Sequence, residues 1–172
     1  MIVVSVASID DAQEISELLE QNSIPRGGAL FGDWSVAVVG SWIADKMPVF
    51  VARTEGRLAG VLMSSEKGHA SSPPVVGMLQ AWSGGNDCYV YGPVCVAQSE
   101  RGGRVLQALY DAARQHYNGR DAILFISTTN KVSIKAHARL GMRNVARFRF
   151  DDTEFEVFTD ARFSQPDRRR TF

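Results

Sequence analysis

Apolar and polar positions along the chain follow two different periods, which divide the sequence into predicted strands and helices. Short apolar runs rich in β-branched residues predict β-strands over residues 2–6, 49–54, 58–64, 88–97, 122–127, 145–150 and 154–158. Two polar turns, at 55–57 and 151–153, predict that the second and third strands, and the last two, form hairpins. Pro93 interrupts the fourth run and predicts a bulge, because proline has no N–H to contribute to a sheet.

Apolar residues three and four positions apart predict helices over residues 10–22, 34–44, 75–82 and 130–140, and a long helix after residue 104. The first helix is expected to begin at Asp10 as its N-cap, with Gln13 closing a capping box. Gly141 is expected to end the last helix. Strands and helices interleave without an internal repeat or a linker, which predicts an α/β (α+β) fold. We expect one domain over residues 1–163 and a polar tail over 164–172.

Composition narrows the classes of protein that the sequence can encode. The chain has 172 residues, 45% hydrophobic and 22% charged, as in ordinary soluble domains. Its 19 basic and 19 acidic residues balance, so no overall field attracts nucleic acid or a membrane, and neither is expected as a partner. Cys88 and Cys95 have no spacing typical of a zinc site or a disulfide framework, so no metal is expected. No apolar run approaches the roughly 20 residues of a membrane helix, and a cytoplasmic protein fits best.

Residues 94–106 combine a strand end, a glycine-containing turn and the start of a helix. The first turn of a helix leaves N–H groups unpaired and favours anions, while glycine lets a phosphate approach the backbone closely. The residues of this predicted phosphate site are Val94, Cys95, Val96, Arg101, Gly102, Gly103, Arg104, Val105 and Leu106. Neither the P-loop pattern nor the G-x-G-x-x-G fingerprint is present. The alternative is a helix with a flexible entry turn and solvated arginines.

Helix 130–140 carries a polar pair opposite its charged face. The charged face, predicted to lie in solvent, is Lys131, Lys135 and Arg139. Ser133 and His137 lie one turn apart on the opposite side, flanked by apolar residues that include Val132. Polar groups that point inward are costly without partners. The pair therefore indicates either a binding site or a core histidine satisfied by hydrogen bonds within the protein.

Both segments resemble signatures of the GCN5-related N-acetyltransferase (GNAT) family. After a bulged strand, Arg101-Gly102 matches the start of that family's acetyl-CoA motif, Arg/Gln-x-x-Gly-x-Gly/Ala, with Arg104 and Leu106 where the motif has glycine. The stretch Asn130-x-x-Ser133-x-x-x-His137-x-x-Leu140-Gly141-Met142 resembles the second motif, Asn-x-x-Ala/Ser-x-x-x-Tyr-x-x-x-Gly-Phe. Histidine therefore replaces the motif's tyrosine, and methionine its phenylalanine. The motifs occur in the family's order, and the resemblance covers nearly the whole chain.

The resemblance implies an acyl-CoA N-acyltransferase-like fold, with a mixed, mostly antiparallel sheet flanked by helices. It also implies that acetyl-CoA is the co-substrate and that a primary amine of a small molecule or peptide attacks it directly. The family's residues at Asn130 and Ser133 lie near the pantetheine and diphosphate. Its tyrosine at the position of His137 protonates the departing thiol, so we expect His137 to donate that proton. Dimers are common in the family, and a homodimer is one possible assembly.

The base that deprotonates the amine is less evident from the sequence. Tyr91, Tyr89 and Asp87 lie on or beside the fourth strand, and Tyr91 is our candidate, although core packing is the simpler explanation for each tyrosine. The regions expected near the acceptor are the loop 26–33 and the segments around Trp34, Trp42 and Trp82. Two other functions stay open: a non-catalytic acyl-CoA sensor on the same fold, and an interaction protein without a CoA site.

Overall fold

The computed structural model of the protein describes residues 1–69 and 71–162. Its strands are β1 (Ile2–Val6), β2 (Val49–Thr54), β3 (Arg57–Glu66), β4 (Tyr89–Val96), β5 (Ala122–Ser127), β6 (Arg143–Phe150) and β7 (Thr153–Thr159). Its helices are α1 (Ala12–Gln21), α2 (Val36–Ala44), α3 (Pro73–Ala81), α4 (Val105–His116) and α5 (Lys131–Arg139). The predicted domain end at 163 and the polar tail 164–172 lie outside the described residues.

The strands form a seven-stranded sheet in the order β1-β2-β3-β4-β5-β7-β6. All neighbouring strands are antiparallel except β4 and β5, which are parallel. The expected mixed, mostly antiparallel sheet with flanking helices is therefore confirmed.

The parallel pair β4–β5 separates soon after it begins. Tyr89 pairs with Ala122 and Val90 with Ile123, and no later pairing joins the two strands. From Tyr91 onward, the edge of β4 that faces β5 has no strand partner. The two diverging strands therefore leave a wedge-shaped opening in the sheet, which we call the split.

The bulge predicted at Pro93 is present on the other edge of β4. Leu62 of β3 pairs with Val94, and Ser64 pairs with Tyr91, so one residue of β3 stands opposite both Gly92 and Pro93. A bulge bends its strand and increases the local twist. It lies just where β4 turns away from β5.

Helices cover both faces of the sheet. On one face, α4 and α5 pack over a core whose members include Tyr89, Tyr91, Leu109, Leu124 and Ile126. On the other face, α1 and α2 pack over β2 and β3, and α3 packs over β6 and β5. Successive strand residues point to opposite faces. Ile123 and Val157, which belong to the core under α3, therefore lie on the face opposite Leu124.

The start of the first helix differs from the prediction. Ser8 rather than Asp10 is the N-cap, and Asp11 rather than Gln13 closes the capping box, with the Ser8 N–H donating to Asp11 Oδ2 at 2.7 Å. A single 3₁₀ turn over Ile9–Asp11 therefore precedes α1. Two residues suited to capping lie close together here, and helical periodicity does not choose between them.

The other elements agree with their predicted bounds to within two residues. No helix of the described chain is long and apolar enough to cross a membrane.

Candidate functional site

A cleft of about 1360 Å³ occupies the split between β4 and β5. The turn before α4 and the start of α5 line it on one face of the sheet. The loop before α2, α2 itself, the start of α3 and the β6–β7 hairpin line it elsewhere. We call these the α4–α5 side and the α1–α3 side. Because β4 and β5 are not paired at the split, the two sides communicate through the sheet.

Most of the predicted site residues line this cleft. They are Tyr91, Val94, Cys95, Val96, Arg101, Gly102, Gly103, Leu106, Asn130, Ser133 and His137. The side chains of Arg104 and Val105 do not. Val105 is buried in the core against the sheet, and Arg104 lines a separate recess with Gln107 and Asp111. The backbone N–H groups at these two positions still belong to the start of α4, so the predicted phosphate site there depends on the backbone and not on the side chains.

The free edge of β4 presents backbone N–H groups to the cleft. The N–H of Ala97, just after β4, donates to Ala59 O of β3 at 2.8 Å. Because N–H groups alternate between the two edges of a strand, those of Val94 and Val96 point toward the split. The N–H of Cys95 points toward β3, so Cys95 contributes to the wall without offering a donor.

The turn before α4 allows a ligand to approach the backbone. Gly102 has a φ of +76°, and nothing lies within 4 Å of the position that a Cβ would take. At Gly103 a Cβ would stand 3.1 Å from Glu100 O, so this position is tighter. Arg104, the N-cap, gives no side-chain hydrogen bond to the first turn of α4. The N–H groups of that turn lack a side-chain cap and lie at the positive end of the helix dipole.

Two predicted residues alter the shape of this end of the cleft. Arg101 is exposed, and its guanidinium donates to Asn22 Oδ1 and, through Nε, to Val96 O at 3.4 Å. It therefore joins the end of α1 to the end of β4 and holds a positive charge beside the turn. Leu106 is half-buried in the cleft wall, where the resembled motif has glycine, so its side chain narrows the cleft.

The polar residues of α5 are arranged largely as the helical wheel predicts. Asn130 is the N-cap, and its Oδ1 accepts a hydrogen bond from the Ser133 N–H at 3.2 Å. The charged face is exposed, and His137 is buried. Val132, which flanks the polar pair on the helical wheel, is 78% exposed and lines the cleft. It lies close to the amino terminus of α5, where the helix projects past the core.

His137 has one satisfied and one unsatisfied ring nitrogen. Nδ1 lies 2.8 Å from Ser133 O and 3.2 Å from Ser133 Oγ. A carbonyl oxygen can only accept, so Nδ1 carries the proton in the neutral ring. Nε2 then holds a lone pair; it is buried and has no hydrogen-bond partner among the described residues. An unpartnered buried nitrogen costs about 1–3 kcal/mol, which indicates a partner supplied by a ligand.

The protonation state of His137 bears on its expected role as a proton donor. Burial lowers the pKa of His137 below 6.5, and the hydrogen bond to the Ser133 carbonyl offsets this only in part. The ring is therefore neutral near pH 7, and Nε2 first accepts a proton before it can donate one.

Tyr91 meets His137 inside the cleft, with the two rings perpendicular and their centroids 5.6 Å apart. Its hydroxyl is buried and has no partner among the described residues. Burial raises the pKa of Tyr91 well above 10, so the phenol stays protonated near neutral pH. In this state it donates a hydrogen bond and is a poor base.

The other candidate bases lie outside the cleft lining. Tyr89 is buried and stacks on Tyr117, with ring centroids 3.8 Å apart. Asp87 is exposed and pairs with Arg120 at 3.0 Å. No group of three or more His, Cys, Asp or Glu side chains within the described part of the chain is arranged to hold a metal ion.

The α1–α3 side contains residues that the sequence analysis missed. Trp34 and Trp42 line it as expected, whereas Trp82 packs in the core beside α3. The missed lining residues include Asp45, His69, Phe125, Phe150, Asp151 and Phe155. They belong to separate elements, so no motif or spacing joins them. Asp151 was identified only as part of a turn.

The chain is similar to known acetyltransferases both in sequence pattern and in fold. The acetyltransferase (GNAT) family model matches residues 14–142, from α1 to just beyond α5. Comparison with curated protein sequences gives no significant match.

Several solved structures are similar in fold. An N-acetyltransferase from Staphylococcus aureus Mu50 is 14% identical, with a TM-score of 0.68 over 92% of this chain and 97% of that one. The ribosomal-protein-alanine N-acetyltransferase from Brucella melitensis is 16% identical, with a TM-score of 0.66 over 91% and 98%. A putative acetyltransferase from Salmonella typhimurium, solved with its cofactor acetyl-CoA, is 17% identical, with a TM-score of 0.65 over 98% and 99%. The family match covers most of the sequence, and these likenesses agree with the fold. The chain therefore belongs to the GNAT family of acetyltransferases.

Proposed function

We propose that the protein transfers an acetyl group from acetyl-CoA to a primary amine of a small molecule or peptide. The observation that carries this proposal is His137 Nε2, a buried nitrogen with no partner in the described part of the chain, at a cleft between two diverging strands. The fold leaves this group unsatisfied, so a bound substrate is expected to satisfy it. Family membership supplies the general chemistry of acetyl transfer.

The diphosphate of acetyl-CoA is proposed to bind at the turn between β4 and α4. The N–H groups of the first turn of α4 support this, because they lack a capping side chain and lie at the positive end of the helix. Gly102 has no Cβ to keep a phosphate from the backbone. Arg101 and Lys131 are exposed at the same end and add positive charge.

The pantetheine arm is proposed to run along the free edge of β4 toward His137. The N–H groups of Val94 and Val96 point into the split, where an extended amide-containing chain can accept hydrogen bonds from them. During attack by the amine, negative charge develops on the thioester oxygen. An N–H fixed in place by the strand stabilises that charge, and the Val94 N–H is our candidate for this role.

His137 is proposed to carry one proton through the reaction. The neutral amine attacks the carbonyl carbon, a C–N bond forms, and Nε2 accepts a proton from the attacking nitrogen. The C–S bond then breaks, its electron pair moves to sulfur, and Nε2 gives the proton to the thiolate. The products are the N-acetyl amine and the CoA thiol. Since a thiol has a pKa near 8.5 and burial lowers the pKa of His137, the second transfer is downhill.

The proposal is tested by following thiol release from acetyl-CoA with a panel of primary amines, and by mass spectrometry of the products. We expect thiol release that depends on the amine, with one acetylated amine formed for each thiol. Thiol release at the same rate without any amine would contradict the proposal, as would no release with every amine.

A non-catalytic acyl-CoA sensor is the second candidate, favoured by Leu106 in the cleft wall and by histidine where the family has tyrosine. Calorimetric binding of acetyl-CoA without acetylation of any amine would identify this function.

A further inference from the structure

We infer that the acceptor is a small primary amine with an aromatic or similarly bulky apolar body, which binds on the α1–α3 side of the cleft. This inference rests on the proposed acetyl transfer. The proposed acceptor is an arylalkylamine-type molecule and not a polyamine or a protein amino terminus.

The wall of the α1–α3 side is built from aromatic rings. The Phe31 ring meets Phe150 with centroids 5.8 Å apart and Phe155 at 6.1 Å, each nearly perpendicular. Trp34 and Trp42 meet at 5.7 Å. All five residues line the cleft. Aromatic edges and faces of this kind favour a ring in the ligand, which can stack or meet them edge to face.

The polar atoms of the two indoles are already committed to the fold. Trp34 Nε1 donates to Phe31 O at 3.0 Å, and Trp42 Nε1 donates to Ser64 O at 3.0 Å. A ligand on this side therefore meets the carbon surface of the tryptophans and not their N–H groups. A peptide backbone, which needs a hydrogen-bond partner for each N–H and C=O, finds no donor in these two indoles.

The aromatic contacts also join two distant parts of the cleft wall. Phe31 belongs to the loop before α2, whereas Phe150 and Phe155 belong to the two strands of the β6–β7 hairpin. Phe155 lies two residues from Val157 on β7, so it shares the face covered by α3. The loop and the hairpin therefore meet within the cleft wall through these three rings. A wall of packed rings offers apolar surface to a compact acceptor with a ring of its own.

Charges divide between the two sides of the cleft. The α4–α5 side carries the cations Arg101 and Lys131 and one half-buried carboxylate, Glu100. Three exposed carboxylates line the cleft from the α1–α3 side, at Asp33, Asp45 and Asp151, and no Lys or Arg among the described lining residues lies on that side. No ion pair joins any of the three to another described residue. Among the described residues that line the α1–α3 side, the basic side chain is that of His69. Negative potential there draws in an ammonium ion before it loses its proton.

The β6–β7 turn offers a matched pair of aspartates. Asp151 lines the cleft, whereas Asp152 does not, and the Asp152 side chain is fully exposed and 3.5 Å from Arg149. Both have positive φ, 45° and 58°, a conformation that asparagine tolerates well. Asp151→Asn and Asp152→Asn therefore remove the same charge from adjacent positions with similar backbone consequences.

The experiment compares kcat/KM for 2-phenylethylamine, n-propylamine, spermidine and an alanine-initiated tripeptide, with acetyl-CoA saturating. We expect 2-phenylethylamine to exceed each of the others at least ten-fold. Asp151→Asn should raise KM for 2-phenylethylamine several-fold at low salt, while Asp152→Asn leaves it unchanged. Phe31→Ala should reduce the preference for 2-phenylethylamine over n-propylamine. In the presence of CoA, 2-phenylethylamine should also quench tryptophan fluorescence, which reports binding without turnover.

The outcomes separate this inference from the proposed function. Acetylation in which spermidine, the tripeptide or n-propylamine equals or exceeds 2-phenylethylamine would overturn the inference and leave the acetyltransferase proposal intact. Equal effects of Asp151→Asn and Asp152→Asn would remove the assigned role of Asp151. Tight CoA binding with no acetylation of any amine would overturn the proposed function, and the inference with it.

Discussion

Replacement of His137 by phenylalanine separates a catalytic role from a structural one. The substitution removes both ring nitrogens and keeps an aromatic ring of similar size in a buried position. If His137 served only the fold, the variant would lose stability and its activity would follow. If His137 carries a proton, activity falls while the fold is preserved.

The structure gives the size of each effect. Loss of the hydrogen bond from Nδ1 to Ser133 O, 2.8 Å long, costs about 1 kcal/mol. Nε2 has no hydrogen-bond partner among the described residues, so its removal raises the free energy of unfolding by about 1–3 kcal/mol. We therefore expect a free energy of unfolding at pH 7 equal to that of the wild type or higher by up to about 2 kcal/mol. Loss of the proton carrier should lower kcat by about 10²–10⁴-fold.

The lowered pKa of His137 adds a pH dependence with a definite sign. Between the lowered native value and the 6.5 of the unfolded chain, the unfolded state binds a proton that the native state does not. Wild-type stability therefore falls as pH drops through 6.5 toward the native pKa. His137→Phe lacks this contribution, so its stability advantage should widen in acid. The wild-type kcat/KM should also fall as the pH drops toward the pKa of His137, because a protonated Nε2 cannot accept a proton from the amine.

The assay combines urea denaturation at pH 7 and pH 5.5 with steady-state thiol release over that range. His116→Phe is the matched control, because His116 is exposed on α4, outside the cleft, and contacts the Phe50 ring. It should leave kcat unchanged. A His137→Phe variant with wild-type kcat would refute the proton-carrier role. A variant destabilised by several kcal/mol would refute the assignment of Nε2 as an unsatisfied group.

Two further predictions concern glycines. Gly102→Ala should raise KM for acetyl-CoA, because alanine at a φ of +76° distorts the turn before α4. Gly56→Ala, the control at +79° in the β2–β3 turn, should cost about 1–2 kcal/mol of stability without changing that KM. A KM for acetyl-CoA that is the same in both variants would argue against the diphosphate site. Gly60→Ala should lower the free energy of unfolding by about 1–3 kcal/mol, because the new Cβ would stand 2.8 Å from Val105 Cγ1. Thermal denaturation measures this loss, and an unchanged Tm would contradict the close packing.

Local sequence patterns predicted much of the fold. Strand β5 was predicted at its observed bounds because an apolar run between polar turns has few alternatives. The bulge at Pro93 followed from the missing N–H of proline, and the burial of His137 followed from helical spacing. Local signals were weaker where two choices were equivalent, as at the N-cap of the first helix. The helical wheel also did not show that Val132 is exposed, because periodicity does not reveal which turns of a helix contact the core.

The site was predictable where one segment determines it and not where distant segments meet. The turn before α4 and the polar pair on α5 each lie within a dozen residues, so their spacing was visible. Phe31, Phe150 and Asp151 come together only through the contact between a loop and a hairpin. The hydrogen bond from Arg101 to Asn22 likewise joins residues 79 positions apart. The tautomer of His137 depends on a distance, which no sequence pattern contains.

The claim on which the account depends is that the split between β4 and β5 holds acetyl-CoA against backbone N–H groups. Titration of ¹⁵N-labelled protein with CoA, followed by amide NMR, tests this directly. We predict the largest shifts at Val94, Val96, Gly102, Gly103 and Leu106, with β1 unaffected. Saturable shifts elsewhere that spare these amides, or no shifts at millimolar CoA, would contradict the account.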